Sequence, residues 1–188
     1  MEPRELLEIL HTAEKLKDAT RHSYTSAGRR ESVAEHSWRL ALFAYFAAGW
    51  FPEADKDKLI KMCLIHDLGE AFTGDIPSFD KTEYDEEREK RELYAWVDTL
   101  PSPYKDEMLA LYSEMESRET LEAKIFKALD NMEAVIQHNE ADISTWIPKE
   151  FTLNLTYGAD KAAFSPFLAA LREEVRKDTE AKIAGDGN

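Results

Sequence analysis

Three observations predict an all-α fold for this chain. Apolar residues recur at intervals of three and four along most of the sequence, the period of an amphipathic helix. Capping residues stand where these periodic segments begin. No segment alternates apolar and polar residues long enough to propose a sheet. Since the chain has 188 residues, 43% of them apolar, it can bury a core of its own. We therefore expect a single helical domain over residues 1–188.

The first two helices are predicted from their starting residues. Pro3 suits the first turn of a helix, where a missing N–H costs nothing. The apolar stripe of this helix consists of Leu6, Leu7, Leu10, Ala13 and Leu16. A second helix is predicted from Ser32, which forms a capping box with Glu35, and it runs toward Gly49.

A third helix is predicted from Asp55 or Asp57 as far as Gly74, the residue expected to stop it. A turn over residues 75–79 should follow, because Pro77 lacks an N–H and restricts the residue before it.

The second half of the chain continues the helical pattern. Thr82 precedes a charged stretch that leads into apolar residues, Pro103 opens a short helix, and Thr120 caps another. We expect a last helix over residues 165–182 and a frayed tail over 183–188.

Charge and composition exclude several classes of protein. Lys and Arg total 24 against 38 Asp and Glu, a formal charge of −14. This charge repels both a phosphate backbone and an anionic membrane, and the longest apolar run, residues 40–50, is too short to span a bilayer. The single cysteine, Cys63, cannot form an internal disulfide. No secretory leader is recognisable at the start. We expect a cytoplasmic protein that binds neither nucleic-acid polymers nor membranes.

Two histidines and two aspartates are candidate metal ligands. His36, His66 and Asp130 lie in three different apolar helices, and Asp67 follows His66 directly. Imidazole and carboxylate together suit a first-row divalent ion, and four such ligands leave positions open for water or substrate. Taken singly, each residue is better interpreted as a hydrogen-bonded core histidine or a salt-bridged aspartate. Spacing alone does not bring three helices together.

Two further acids follow His66. Glu70 lies four residues on, which would place it one helical turn along the same face, and Asp75 lies where the chain turns. Acids beside a metal suit proton transfer or the positioning of water. The alternative is a solvated glutamate and a turn-forming aspartate.

The pattern His36 … His66-Asp67 … Asp130 resembles the HD-domain superfamily of metal-dependent phosphohydrolases. The string HDLGEAFTGDIP is similar to the HD-x-x-E-x-x-x-G-D-x-P pattern of its 5′-deoxynucleotidase branch, and SVAEHS is similar to the segment of its first histidine. The resemblance covers about residues 14–140. It implies an HD-type helical bundle with a metal site between helices.

The resemblance also implies an activity: hydrolysis of nucleoside or deoxynucleoside 5′-monophosphates. The four candidate ligands would hold one divalent transition-metal ion, which could be Mn, Co, Fe, Zn or Ni. Glu70 and Asp75 would orient or deprotonate the attacking water and help protonate the leaving oxygen; either could be the acid or the base. Relatives imply a homodimer.

Arg21 and His22 are the candidate substrate-binding residues. Arg21 stands fifteen residues before His36, in what we expect to be a loop, where this branch carries a phosphate-contacting arginine. A solvated arginine at the end of the first helix is the alternative. His22 stands where the related bacterial nucleotidases have a tryptophan that helps select the sugar, so base and sugar preference stay open.

Two other functions remain as alternatives. One is another HD-type phosphohydrolase, acting on a phosphodiester or diphosphate; the other is a non-catalytic helical binding module. The retained ligands and accessory acids argue against the module. Outside the motif, Lys127 is expected to be solvated. Four aromatic residues are expected in the core or a subunit interface: Trp38, Tyr45, Phe46 and Trp50.

Overall fold

The computed structural model describes residues 1–77 and 79–186, and it confirms the helical class. Its α-helices are α1 (Pro3–Glu14), α2 (Val33–Ala47), α3 (Lys56–Ile65), α4 (Glu70–Thr73), α5 (Glu83–Val97), α6 (Tyr104–Ser117), α7 (Leu121–Glu140), α8 (Glu150–Thr156), α9 (Ala159–Ala162) and α10 (Pro166–Asp186). Short 3-10 helices cover Lys15–Lys17, Ala48–Trp50 and Ile143–Thr145.

The predicted capping residues begin their helices. The Ser32 side chain accepts a hydrogen bond from the Glu35 N–H, and the Glu35 side chain reaches back to the Ser32 N–H, which confirms the capping box. Thr82 and Thr120 cap α5 and α7 in the same way, each accepting from a backbone N–H three residues on.

Helix α7 is the centre of the bundle. It packs against α2 and α3 on one side and against α6, α9 and α10 on others. The core around it contains fully buried side chains from α2, α3, α7 and α10, among them Leu40, Leu59, Met62, Ile125, Leu129, Met132 and Leu168. Burial of such side chains contributes about 1.5–3 kcal/mol each. A helix surrounded in this way can hold polar side chains in fixed positions.

A small antiparallel sheet precedes α2, and the prediction that the chain has no sheet was wrong here. Strand β1 (Thr20–Tyr24) pairs with β2 (Arg30–Ser32), with an irregularity between the paired ends. The turn between them contains Gly28, whose φ of 81° favours glycine. Strands of five and three residues are too short to show an alternating pattern in the sequence.

The predicted third helix is interrupted. Helix α3 ends at Ile65, residues 66–69 form tight turns, and α4 begins at Glu70. The Ile65 carbonyl accepts from the Leu68 N–H and from the Tyr112 hydroxyl at 2.7 Å, so it is not available to continue the α-helical ladder. The prediction that Glu70 lies one α-helical turn beyond His66 was therefore wrong.

The last helix is longer than predicted. Helix α10 continues to Asp186, so residues 183–186 are helical rather than frayed, and 187–188 lie outside the described residues. The predicted turn over 75–79 falls in the irregular segment after α4, although Ser78 itself lies outside the described residues. Within residues 1–77 and 79–186, none of the helices has the length and apolar character needed to cross a membrane.

The aromatic residues expected in the core or a subunit interface do not lie in the core. Trp38 and Phe46 are 62% and 64% exposed, and Tyr45 is exposed as well. Trp50 is also exposed, although its ring stacks on Phe167 with centroids 4.2 Å apart.

Candidate metal centre and substrate pocket

The four predicted metal ligands converge on one point from three elements. His36 Nε2, from α2, lies 3.2 Å from His66 Nε2, 3.8 Å from Asp67 Oδ2 and 3.3 Å from Asp130 Oδ1 of α7. His66 Nε2 lies 3.0 Å from Asp67 Oδ2 and 3.7 Å from Asp130 Oδ1. The interruption after α3 places His66 and Asp67 side by side at this point. Four donor atoms at such separations can share a single cation.

Both imidazoles are oriented by hydrogen bonds on their other nitrogen. His36 Nδ1 contacts the carboxylate of Glu133, which is 1% exposed, and His66 Nδ1 lies 2.9 Å from the Cys63 carbonyl. When Nδ1 carries the proton and donates, the lone pair of Nε2 faces the centre, which is the arrangement of metal-binding histidines. Glu133 was missed by the sequence reasoning, although it follows Asp130 by three residues on the buried face of α7.

Lys127 supports Asp130 from one helical turn away. Its ammonium lies 2.8 Å from Asp130 Oδ2, which leaves Oδ1 facing the two imidazoles. Asp130 in turn raises the pKa of Lys127. The side chain is half-buried and lines the cavity described below, so the expectation of a solvated lysine was wrong. The i, i+3 spacing of Lys127 and Asp130 on a helix was the sequence signal that could have predicted this ion pair.

The charges of the centre favour a cation. Burial acts to raise the pKa of Asp67, but His66 and other neighbouring cations outweigh it and hold the pKa below its usual range. Burial also acts to raise the pKa of Asp130, but the charge of Lys127 and the two histidines outweigh it and hold this pKa well below its usual range. Burial and Arg21 act to lower the pKa of His36, while hydrogen bonds with Asp130 and Glu133 raise it to about 9. Two ionised carboxylates and two imidazoles form a donor set that fits a first-row divalent metal.

Arg21 lies beside this centre, on β1 rather than in the predicted loop. Its Nη1 is 3.6 Å from Asp67 Oδ2, and its Nε is 3.3 Å from Glu31 Oε2. Burial acts to lower its pKa, but Asp67, Glu133 and Glu31 outweigh burial and raise it. The side chain is only 16% exposed, so the alternative of a solvated arginine is excluded. Arg21 lines the cavity.

Glu70 and Asp75 line the same cavity. Glu70 is buried, and its Oε2 has no hydrogen-bond partner within the described part of the chain. Burial raises the pKa of Glu70 to about 10, and the negative charges of Asp67 and Asp75 add to this effect. Burial also raises the pKa of Asp75, against the opposing charge of Arg21.

The cavity next to the centre has a volume of about 200 Å³. Its cationic lining residues are Arg21, Lys81 and Lys127. Its apolar and aromatic lining residues include Ile76, Pro77, Phe79, Ala134, Val135, Leu153 and Tyr157. Cations and apolar walls in one cavity suit a small phosphate ester with an organic group.

A second polar cluster borders the cavity. His22 Nε2 contacts Glu150 Oε1, and His138 Nε2 lies 3.5 Å from the same oxygen. His138 Nδ1 lies 3.2 Å from Asn154 Oδ1, and the His22 ring packs edge-on against Phe79 and His138. Sequence reasoning found His22 but missed its partners, because Glu150 is 128 residues away in the chain.

Comparison with known proteins identifies relatives of this chain. A model of the HD domain matches residues 13–172. A Bos taurus protein named 5′-deoxynucleotidase HDDC2 is 30% identical over 188 residues, covering 97% of this chain and 89% of that protein. The Homo sapiens protein of the same name is 31% identical over 141 residues, covering 73% and 68%.

Solved structures share the fold. One, called a predicted metal-dependent phosphohydrolase from Magnetospirillum magnetotacticum MS-1, superimposes with a TM-score of 0.80 at 27% identity, covering 95% of this chain and 93% of that one. A conserved hypothetical protein from Pyrococcus furiosus gives a TM-score of 0.73 at 32% identity, covering 91% and 99%.

Proposed function

The chain belongs to the HD-domain family, and from this premise we propose that it hydrolyses nucleoside 5′-monophosphates, deoxynucleotides above all, with a divalent metal. The observation that carries the proposal is the convergence of His36 Nε2, His66 Nε2, Asp67 Oδ2 and Asp130 Oδ1 beside a buried arginine. Relatives named 5′-deoxynucleotidases support the choice of substrate.

The four converging residues would hold one transition-metal ion. Mn, Co, Fe, Zn and Ni all accept imidazole and carboxylate ligands, so metal analysis must choose among them. When bound, such an ion neutralises phosphate charge and makes water a stronger acid. Glu133 and the Cys63 carbonyl keep the two Nε2 atoms directed at the ion.

Arg21 would bind the phosphate group of the substrate. Its guanidinium already faces the centre through Asp67, and its planar fork of donors can hold two phosphate oxygens at once. Lys127 lines the same cavity and adds a second positive charge.

Glu70 and Asp75 would move protons during the reaction. Attack of water on phosphorus forms one P–O bond and breaks the bond to the 5′-oxygen. The water loses a proton and the departing oxygen gains one, so a carboxylate base and a carboxylic acid are both useful. Within the described residues the Oε2 of Glu70 has no hydrogen-bond partner, which supports this role, because this oxygen could bond to water or substrate.

Phosphate release from a panel of nucleotides tests the proposal. The purified protein, loaded in turn with each candidate metal, is assayed on deoxynucleoside and nucleoside 5′-monophosphates, diphosphates and cyclic nucleotides. We expect monophosphates to be hydrolysed, His66→Ala or Asp67→Ala to lose metal and turnover together, and the exposed control Arg4→Ala to retain both. Full metal content and normal turnover in both centre variants would overturn the proposal. Preference for a diphosphate or cyclic nucleotide would favour the alternative phosphohydrolase. Metal binding without any hydrolysis would favour the non-catalytic binding module.

We further infer that the chain forms one domain that pairs with a second copy through α2. The core is continuous from α2 through α3 and α7 to α10, which supports a single domain. The exposed Trp38 and Phe46 on α2 suit a subunit interface. Light scattering should give a dimer mass for wild type and for Tyr84→Glu, a matched exposed aromatic, but a monomer for Phe46→Glu. A monomeric wild type would contradict this inference.

We also propose that the protein is cytoplasmic. The free Cys63 suits the reducing cytoplasm, and cell fractionation can test this.

A further inference from the structure

His22, His138 and Glu150 bring three metal-binding atoms together away from the centre already described. One imidazole nitrogen from each histidine and one oxygen of Glu150 lie within 4.8 Å of one another. Both Nε2 atoms face the same oxygen, Glu150 Oε1. The other oxygen of Glu150 accepts from the Ile147 N–H at 2.8 Å, which fixes the direction of the carboxylate.

We propose that these three residues form a second divalent-cation site, of the zinc type. Two imidazoles and one carboxylate form a known three-ligand set for Zn²⁺, which leaves a further position for water or another group. The Asn154 side chain contacts His138 Nδ1 and would orient the ring as an outer-shell partner does.

The burial of Glu150 supports a cation rather than a plain hydrogen-bond network. The side chain is 2% exposed, and within residues 1–77 and 79–186 it forms no ion pair with a lysine or arginine. A buried carboxylate is costly unless its charge is compensated. At 3.5 Å, the contact with His138 Nε2 is long for a hydrogen bond. A divalent ion would take the place of the proton between His22 and Glu150 and bring His138 into the same set.

Strand β1 contributes one residue beside each group of ligands. Arg21 and His22 are consecutive and both line the cavity, but their side chains have different partners. Arg21 contacts Asp67 and Glu31, while His22 contacts Glu150. The second ion would thus add positive charge at the border of the same cavity, without sharing a ligand with the first centre.

The test counts bound Zn²⁺ per chain by elemental analysis after equilibrium dialysis. We expect two ions in wild type and one in the double variant His66→Ala/Asp67→Ala. Adding Glu150→Gln or His22→Asn to the double variant should weaken the remaining ion at least 10-fold. His11→Ala, which removes an exposed histidine, is the matched control and should change nothing.

Two measurements keep folding and binding apart. Far-UV circular dichroism reports the fold, and His22→Asn, at a half-buried position, should spare it even where Glu150→Gln does not. Zn²⁺ should raise the melting temperature of the double variant but not of the same variant carrying His22→Asn. The second site would be overturned if wild type bound one ion. It would also be overturned if neither Glu150→Gln nor His22→Asn changed the affinity of the ion that remains in the double variant. Two ions in both wild type and double variant would instead count against the first centre.

Discussion

Glu133→Gln is expected to weaken metal binding although Glu133 is not placed among the ligands. One oxygen of Glu133 contacts His36 Nδ1, and the other accepts from Arg39 Nε at 2.6 Å. Glutamine keeps the volume but has one acceptor in place of two. Its NH₂ group must then face either the histidine or the arginine, both of which are donors.

The size of the effect follows from the loss of one charge-assisted hydrogen bond. Such a bond contributes about 1.5–3 kcal/mol. Loss of the outer-shell partner of a metal-binding histidine typically costs about 10–100-fold in affinity, which is about 1.4–2.7 kcal/mol. The two ranges overlap, so we expect the Kd of the metal to rise about 10–100-fold.

Competition with a chelator of known affinity measures this Kd. Glu140→Gln is the matched control, since Glu140 lies on the same helix and pairs with the same Arg39 but does not contact His36. We expect the control to bind metal as wild type does. A Kd for Glu133→Gln within about threefold of wild type, or equal weakening by both variants, would refute the idea that Glu133 orients His36.

The remaining predictions concern four positions. Arg21→Lys should retain metal but lose about 10–100-fold in kcat/KM, because an ammonium cannot replace a bidentate fork; a wild-type value would exclude phosphate binding by Arg21. Glu70→Gln should retain metal and lose about 10²-fold or more in kcat; loss of metal would make it a ligand, and unchanged kcat a bystander. Cys63 is fully buried, and burial raises the pKa of its thiol, so a thiol reagent should label it only after unfolding; rapid native labelling would contradict this. Gly158→Ala should lower the free energy of unfolding by about 1–3 kcal/mol in urea titration, since its φ is 76° and an added Cβ would lie 2.6 Å from the Asn131 Cβ; a stability equal to wild type would show that the loop relaxes freely.

The helices were predictable because their signals are local. Ser32, Thr82 and Thr120 are caps that act on backbone groups three residues away, and the apolar period of each helix is contained within it. The four candidate ligands were found through a family pattern, and the structure brings their atoms together. Nothing in their spacing alone required this.

The features that were missed depend on contacts distant in sequence. The turn over residues 66–69 follows from the Tyr112 hydroxyl, which takes the carbonyl at the end of α3. Strands β1 and β2 are the exception, since they are neighbours in the chain and were missed because they are too short to show alternation. Glu150 contacts His22 although the two residues are 128 positions apart, and a contact over such a separation leaves no local signal in the sequence.

Helix α7 supplies groups to both clusters, and this ties their positions to one rigid element. Lys127, Asp130 and Glu133 lie at the candidate metal centre, and His138 lies in the cluster with His22 and Glu150. From Lys127 to His138 the helix rises about 16 Å without interruption. A single residue inserted into this segment would turn every later side chain by about 100° and move it by about 1.5 Å, so that the groups beyond the insertion would leave their partners together. Insertions and deletions in homologous chains should therefore be confined to the loops on either side of α7, and the length of the helix between these residues should be constant.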